Sequence, residues 1–161
     1  SKFINSDLTN SLFKNSDLRG VTMNDLILEN TNFENADFSH SSSKNLDFTK
    51  TNLQNSKLTG AYLQECILDE TDFSTLVIHG DSLGSTKFVF CSMKYSNFSK
   101  NNMFNIDFTS KDIRVDDEFF VYPGSDLSNS VFTDLDLRNT MFSMWSSTEP
   151  TICKSSDENI M

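Results

Sequence analysis

Large apolar residues recur every five positions along most of this chain. The slots run Phe3, Leu8, Phe13, Leu18, Met23, Leu28, Phe33, Phe38, Ser43, Phe48, Leu53, Leu58, Leu63, Leu68, Phe73, Ile78, Leu83, Phe88, Met93, Phe98, Met103, Phe108 and Ile113. Only Ser43 breaks the rule, in a chain that is 37% hydrophobic. Five is neither a helix period nor a strand period. On a helix a five-residue step rotates each side chain by about 140°, so the apolar residues would spiral round the surface. On a flat strand an odd step alternates faces. The pattern requires a chain that turns a corner at every pentad. Four such sides close a square coil of four pentads, with one large side chain pointing inward from each side. Successive coils stack at strand spacing, roughly 4.8 Å.

The remaining positions agree with that geometry. Two before each centre the residue is mostly small, as at Ser6, Ser11, Thr31, Ala36, Ser56, Ala61 and Cys66, which suits a second inward position beside a corner. One before the centre, Asp or Asn recurs, as at Asp7, Asp17, Asn32, Asp37, Asn52 and Asp72. Their short side chains can hydrogen-bond nearby backbone at a bend. Two after the centre, Asn or Gly recurs, as at Asn5, Asn10, Asn35 and Gly60, residues that tolerate tight corners. With only five Gly and two Pro in the chain, Asn, Ser, Asp and Thr must carry the turns.

The stretches "NADFS", "NSDLTNS", "NSDLRG" and "TNLQNSKLTGAYL" resemble the pentapeptide-repeat family, whose motif reads A-[DN]-[LF]-x-x. The resemblance covers about Phe3 to Ile113, and again Ser125 to Met144. The Ala position is here usually Ser or Thr, and sometimes Leu (Leu26, Leu46, Leu76). The resemblance implies an all-β fold, a right-handed quadrilateral β-helix (solenoid), of about seven 20-residue coils. Folding by 20 predicts four core columns. They are Phe3–Met23–Ser43–Leu63–Leu83–Met103, Leu8–Leu28–Phe48–Leu68–Phe88–Phe108, Phe13–Phe33–Leu53–Phe73–Met93–Ile113 and Leu18–Phe38–Leu58–Ile78–Phe98. Ser43 should point inward without a register slip, since Phe48 returns on time, and Leu46 should fill part of the space.

After Ile113 the beat fails and returns at Leu127, Phe132, Leu137 and Phe142. The step from Ile113 to Leu127 is one position short of three pentads, so either Phe119 or Phe120 fills a slot or a loop leaves the coil. The reading is one β-helix over 1–144 with a register break and loop insertion at 114–124. Residues 145–161, with Trp145, read as a C-terminal cap and tail. The chain begins without Met and with its repeat already running, which suggests a fragment of a larger protein.

The net charge of −10 disfavours nucleic acid, because phosphate binding needs clustered Lys and Arg. No apolar run is long enough for a membrane span. Cys66, Cys91 and Cys153 form no paired motif and suggest free thiols in a reducing, cytoplasmic compartment. No catalytic motif occurs, His40 and His79 fall on edge or corner positions, and no alternating carboxylate loop exists for calcium. Catalytic residues, cofactor and metal are therefore all expected to be absent. Four of the 15 Phe lie off the beat: Phe90, Phe104, Phe119 and Phe120. The square coil puts Phe90, Phe104, Tyr62, Ile67, Val77, Val89 and Tyr95 outside. The candidate partner-binding residues are Phe90, Tyr95, Phe104, Phe119, Phe120 and Tyr122. The alternative is that the 114–124 loop or the tail folds over them. The resemblance implies a non-catalytic protein–protein interaction scaffold, one domain of a larger bacterial effector-like protein delivered into a host cell. It also offers a second reading, an acidic mimic of DNA that modulates DNA gyrase, as in family members that protect against quinolones. Interspersed Lys14, Lys44, Lys57, Lys87, Lys94 and Lys100 count against that reading.

Overall fold

In a computed structural model the chain coils as the five-residue beat requires. The structure describes residues 1–108, Leu127 and Ser130 in full, and the backbone of the strands beyond. One side of each coil is a short strand: β1 Lys2–Ile4, β2 Thr22–Asn24, β3 Ser42–Lys44, β4 Tyr62–Gln64, β5 Thr86–Val89 and β6 Ile106–Asp107. They form one parallel six-stranded sheet in chain order. Six strands bound five complete coils, against the seven expected over the longer span. The other three sides are held by isolated parallel bridges such as Asp7 with Ile27, Asn32 with Asn52, and Lys57 with Val77. The strand side is called side one, and the rest follow in chain order.

The corners carry the backbone cost of the coil. Most residues two after a centre adopt left-handed φ, from Asn5 at 49° through Asn35 at 58° to Asn105 at 57°, with Lys50 and Thr75 among the exceptions. That conformation is strained for most side chains but accessible to Asn and Gly. The residue before each centre braces the corner, as expected. Asp7 Oδ1 accepts from Thr9 N, Asn32 Oδ1 from Glu34 N, Asp37 Oδ1 from Ser39 N and Asn102 Oδ1 from Phe104 N. The centres and the residues two before them fill the interior. Phe33, Phe38, Leu63, Leu68, Phe73, Ile78, Phe98 and Met103 are all buried. Each such side chain contributes roughly 1.5–3 kcal/mol by leaving water.

The strand registers overturn the expected columns after residue 80. Strand β4 pairs with β5 through Leu63 and Phe88, a step of five pentads, while every other step along side one is four. One pentad, Asp81 to Ser85, leaves the coil. Leu83, assigned to the core by the beat, is 80% exposed. The observed columns are Phe3–Met23–Ser43–Leu63–Phe88–Phe108, Leu8–Leu28–Phe48–Leu68–Met93, Phe13–Phe33–Leu53–Phe73–Phe98 and Leu18–Phe38–Leu58–Ile78–Met103. Ring stacking follows them: Phe73 on Phe98 at 4.2 Å, Phe88 on Phe108 at 5.3 Å, Phe13 on Phe33 at 5.3 Å. The expelled pentad is a tight turn in which Asp81 Oδ1 accepts from Leu83 N and Gly84 N. A Cβ on Gly80 would lie 2.4 Å from Asn105 O, so only glycine fits where the turn begins. The signal in the sequence is Asp81 itself. It is the only charged residue in the inward slot two before a centre between Phe3 and Phe108, and an unpaired carboxylate does not enter an apolar core.

Ser43 points inward, 3% exposed, between Met23 and Leu63. A cavity of about 10 Å³ adjoins it, lined also by Phe38, Phe48, Leu53, Leu58, Leu63 and Leu68. Leu46 is buried beside it in the second inward row, and the register holds.

Side three opens between coils three and four. In lower coils Phe13 N donates to Asn32 O, Asn15 N to Glu34 O and Asn32 N to Ser11 O, and the same three bonds recur one coil up. Among the described residues no such bond joins Leu53, Asn55 or Asp72 to the facing coil. The side-chain ladder parts as well. Thr31 Oγ1 reaches down to Leu8 O and Ser96 Oγ to Leu68 O, whereas Thr51 Oγ1 turns to Phe48 O in its own coil. The cause is local. Thr75 occupies a corner where Asn15, Asn35, Asn55 and Lys100 have φ near 60°. A β-branched side chain resists that conformation. The chain instead turns through a 3-10 segment, Phe73–Thr75, capped by Asp72, and draws away from coil three.

Beyond the coils, β7 Ile113–Val115 and β8 Glu118–Phe120 pair antiparallel, Ile113 with Phe120 and Arg114 with Phe119. This pair falls in the span read as a loop insertion. Strand β9 Val131–Thr133 pairs in parallel with β10 Ile152–Lys154, which falls in the span read as a tail. The coil expected through Leu137 and Phe142, and the cap at Trp145, lie outside the described residues.

Candidate interaction surface

The solenoid interior is filled, so a site must be built from what the four sides and corners display. Large apolar side chains exposed among the described residues are Ile4, Leu12, Ile27, Ile67, Val77, Leu83 and Tyr95. Four of them gather on side two and at or next to its two corners. Ile27 and Ile67 stand outward on the flat of side two, in one column with Asp7, Asp47 and Ser92. Ile4 ends β1 on side one, next to the preceding corner, and Tyr95, 64% exposed, stands at the following corner. Strand spacing puts neighbours in such a column roughly 4.8 Å apart.

Carboxylates surround these side chains. Asp25 and Glu65 share the corner column of Asn5, Asn45 and Phe90, while Glu29, Asp69 and Glu70 flank Tyr95's column. Lys50 Nζ is held by Glu29 at 2.7 Å, which raises the lysine pKa by hydrogen bond and charge. Lys44 lies 3.8 Å from Glu65. Asp69 Oδ1 accepts from Ser92 Oγ and from Lys94 N, which fixes the upper corner. Side two is thus an acidic strip in which Ile27 and Ile67 alternate with Asp7 and Asp47.

The sequence-predicted site residues divide over this frame. Phe90 and Tyr95 bracket side two at coil five. Both adopt left-handed φ, 55° and 58°, in columns where the lower coils place Asn, Asp, Glu or Lys. Phe104 belongs to a different corner, between sides four and one, so these three do not form one patch. Phe90 and Phe104 are half-buried rather than fully outward, and Val89, also expected outside, is buried at 8% exposure. Tyr62 is half-buried on side one. Phe119 and Phe120 lie in β8, and Tyr122 lies outside the described residues. Ile4 and Ile27 are exposed apolar residues that a search for aromatics alone passes over.

The groups considered for chemistry are placed as follows. His40 Nε2 lies 3.1 Å from Asp81 Oδ2, clasping the expelled pentad to a lower corner, and His79 Nδ1 lies 2.9 Å from Gly80 O. Cys66 and Cys91 are buried in the second inward row of adjacent coils. The hydrogen bond with Cys66, together with burial, holds the Cys91 thiol above its ordinary range. Among the described residues no group of three or more His, Cys, Asp or Glu is placed to hold a metal ion. Among them, too, no helix is long and apolar enough to cross a membrane.

A family model described as a pentapeptide repeat region matches residues 1–73. No curated protein matches the chain. Among solved structures, a trypsin-treated form of QnrB1, a plasmid-mediated fluoroquinolone resistance protein, is similar at 14% identity. The match covers 88% of this chain and 83% of that one, with a TM-score of 0.47. HetL from the cyanobacterium Nostoc sp. strain PCC 7120, a pentapeptide repeat protein involved in heterocyst differentiation regulation, is similar at 17% identity. That match covers 86% of this chain and 73% of the other, with a TM-score of 0.36. Residues 1–73 thus carry the repeat of the pentapeptide-repeat family, and the coil that this beat builds continues to Phe108.

Proposed function

We propose that the solenoid is a non-catalytic protein-interaction scaffold that presents side two to a protein with a basic, partly apolar surface. The observation that carries this reading is the set of exposed apolar side chains Ile27, Ile67 and Tyr95 on side two, interspersed with carboxylates such as Asp47. Exposed apolar side chains set among charges of one sign suit a complementary protein face better than open water. Phe90 and Tyr95 at strained corners support it, because a bulky residue in left-handed φ persists where something other than stability retains it. The scaffold serves as one domain of a larger bacterial protein of the effector type, a reading supported by the degenerate Asn- and Ser-rich pentads.

The test compares captured proteins rather than capture alone. The wild-type domain and an Ile67→Asp/Tyr95→Asn variant are used as baits in the same bacterial and host lysates, with Leu12→Asp on side three as control. A partner retained by wild type and by Leu12→Asp, and lost from the side-two variant, is the expected result. Identical captures by all three baits would overturn the assignment. The net charge of −10 keeps the gyrase-modulating reading as the second outcome. A supercoiling assay with micromolar domain decides it, and neither inhibition nor protection leaves the scaffold alone.

A further inference from the structure

Where side three opens, the parted coils leave a cleft of about 380 Å³. That is the size of a small ligand site. Its floor is apolar, formed by Phe48, Leu53 and Leu76, and its mouth carries Asp69, Glu70 and Asp72. The residues at the parting are correspondingly wetter than their counterparts. Thr51 and Thr71 are half-buried where Thr31 and Ser96 are buried, and Asn52 and Asp72 are exposed where Asn32 and Asn97 are half-buried. Lys50, a cation of coil three near the mouth, is turned away, since its Nζ is bound to Glu29 of coil two.

The lower wall is the open edge of side three in coil three, and the upper wall is Asp72 with the 3-10 turn Phe73–Thr75 that follows it. Coil three keeps its bonds to coil two, as in Asn52 N to Thr31 O, and coil four keeps its bonds to coil five, as in Asn97 N to Thr71 O. The amides of Leu53, Asn55 and Asp72 have no protein acceptor among the described residues. Open amides along a wall are met by the carbonyls of an extended backbone lying beside it. We propose that the cleft between coils three and four binds a short extended basic peptide segment by strand pairing. Side chains of an extended peptide alternate, so one set meets the Phe48–Leu53–Leu76 floor and the other meets the carboxylates at the mouth. The segment therefore alternates small apolar with Lys or Arg. This site opens on side three; it shares Asp69 and Glu70 with the edge of side two, but its open amides and apolar floor do not depend on the reading of side two.

The probe is a five-residue peptide of alternating lysine and valine, blocked at both ends, added to the whole chain. Amide exchange is followed by NMR. In free protein the Leu53, Asn55 and Asp72 amides should exchange much faster than their counterparts Phe33, Asn35 and Asn97. At ten times its Kd the peptide should slow the three open amides about tenfold. Spermidine, which carries positive charge but has no carbonyl to accept from these amides, should not protect them. Thr75→Asn restores a residue suited to the left-handed corner, so it should close the ladder, protect the three amides without peptide and abolish peptide binding. Strong protection of Leu53, Asn55 and Asp72 in free wild-type protein would overturn the proposal, because the cleft would not be open. So would open amides indifferent to saturating peptide, or equal protection by spermidine, which would reduce the effect to charge attraction.

Discussion

Deleting Asp81 to Ser85 tests the register of the whole solenoid. The deletion leaves the five-residue beat in the sequence unbroken and shortens coil four from five pentads to the ordinary four. If those residues lie outside the coil, little is lost. Leu83 is 80% exposed, so its removal uncovers no core. The His40–Asp81 pair disappears, but both partners are about one-third exposed and water screens their charge. Asn105 Nδ2 loses a contact of 3.3 Å to Asp81 O. Closing a shorter connection offsets part of this. The expected shift in Tm is less than about 4 °C. Two point variants calibrate the result. Leu83→Ala should change stability by no more than about 0.5 kcal/mol, as at other exposed positions. Leu63→Ala, at a site 2% exposed, should cost about 2–5 kcal/mol. That corresponds to a fall of roughly 5–15 °C in a chain of this size. The assay is thermal and urea unfolding of the three variants beside wild type. If the deletion unfolds the protein, or if Leu83→Ala costs as much as Leu63→Ala, Leu83 is a core residue and the five-pentad step is wrong.

Ser43→Leu should leave the urea midpoint unchanged or raise it, because added methyl groups at about 0.8 kcal/mol each enter an underfilled site and offset the crowding they cause; a marked fall in the midpoint would mean that the cavity beside Ser43 is not there. Tyr95→Asn should stabilise the fold by about 1 kcal/mol in the same assay, since Asn relieves the left-handed corner and the Tyr ring is mostly exposed. A loss of stability would show that the ring packs on the coil. In acid, the Arg19 side chain and amide hold Asp17 down to about 2, and Asp7 and Asp81 are lowered by their corner hydrogen bonds. A carboxyl lowered on folding contributes stability above its unfolded pKa of 3.8 and loses it as pH falls through the folded value. Stability should therefore decline from about pH 4 toward pH 2, and Asp17→Asn should make that decline shallower. An unchanged slope would remove Asp17 from the account.

Much of this protein is legible in its residues. A centre that is apolar at every fifth position, with a small neighbour and a polar corner, is a local instruction, repeated in each pentad. It sets the four-sided coil, the inward direction of Ser43, the bracing of corners by Asp7, Asn32 and Asp37, and the outward stance of Ile67 and Tyr95. The off-beat aromatics are a weaker guide. Phe104 faces a different corner, and Ile4 and Ile27 are aliphatic and scattered in sequence, so no local pattern marks them.

The position of each pentad round the square is not legible in the same way. A period of five is unchanged when five positions are inserted, so the beat cannot say which pentad is a side and which is a loop. Stacking between coils decides that, through Phe73 on Phe98, Phe88 on Phe108 and the buried pair Cys66 and Cys91. These contacts place coil five one pentad later than the count and leave Asp81 in water. The opening on side three has the same origin. Thr75 looks like any small polar corner residue in the sequence, but a left-handed conformation is demanded of it only once the coil has closed. That the chain coils, and which side chains turn inward, follows from a rule each pentad obeys alone. Which coils touch follows only from the folded stack, because contact between coils joins side chains four or five pentads apart, and a five-residue rule is blind to that difference.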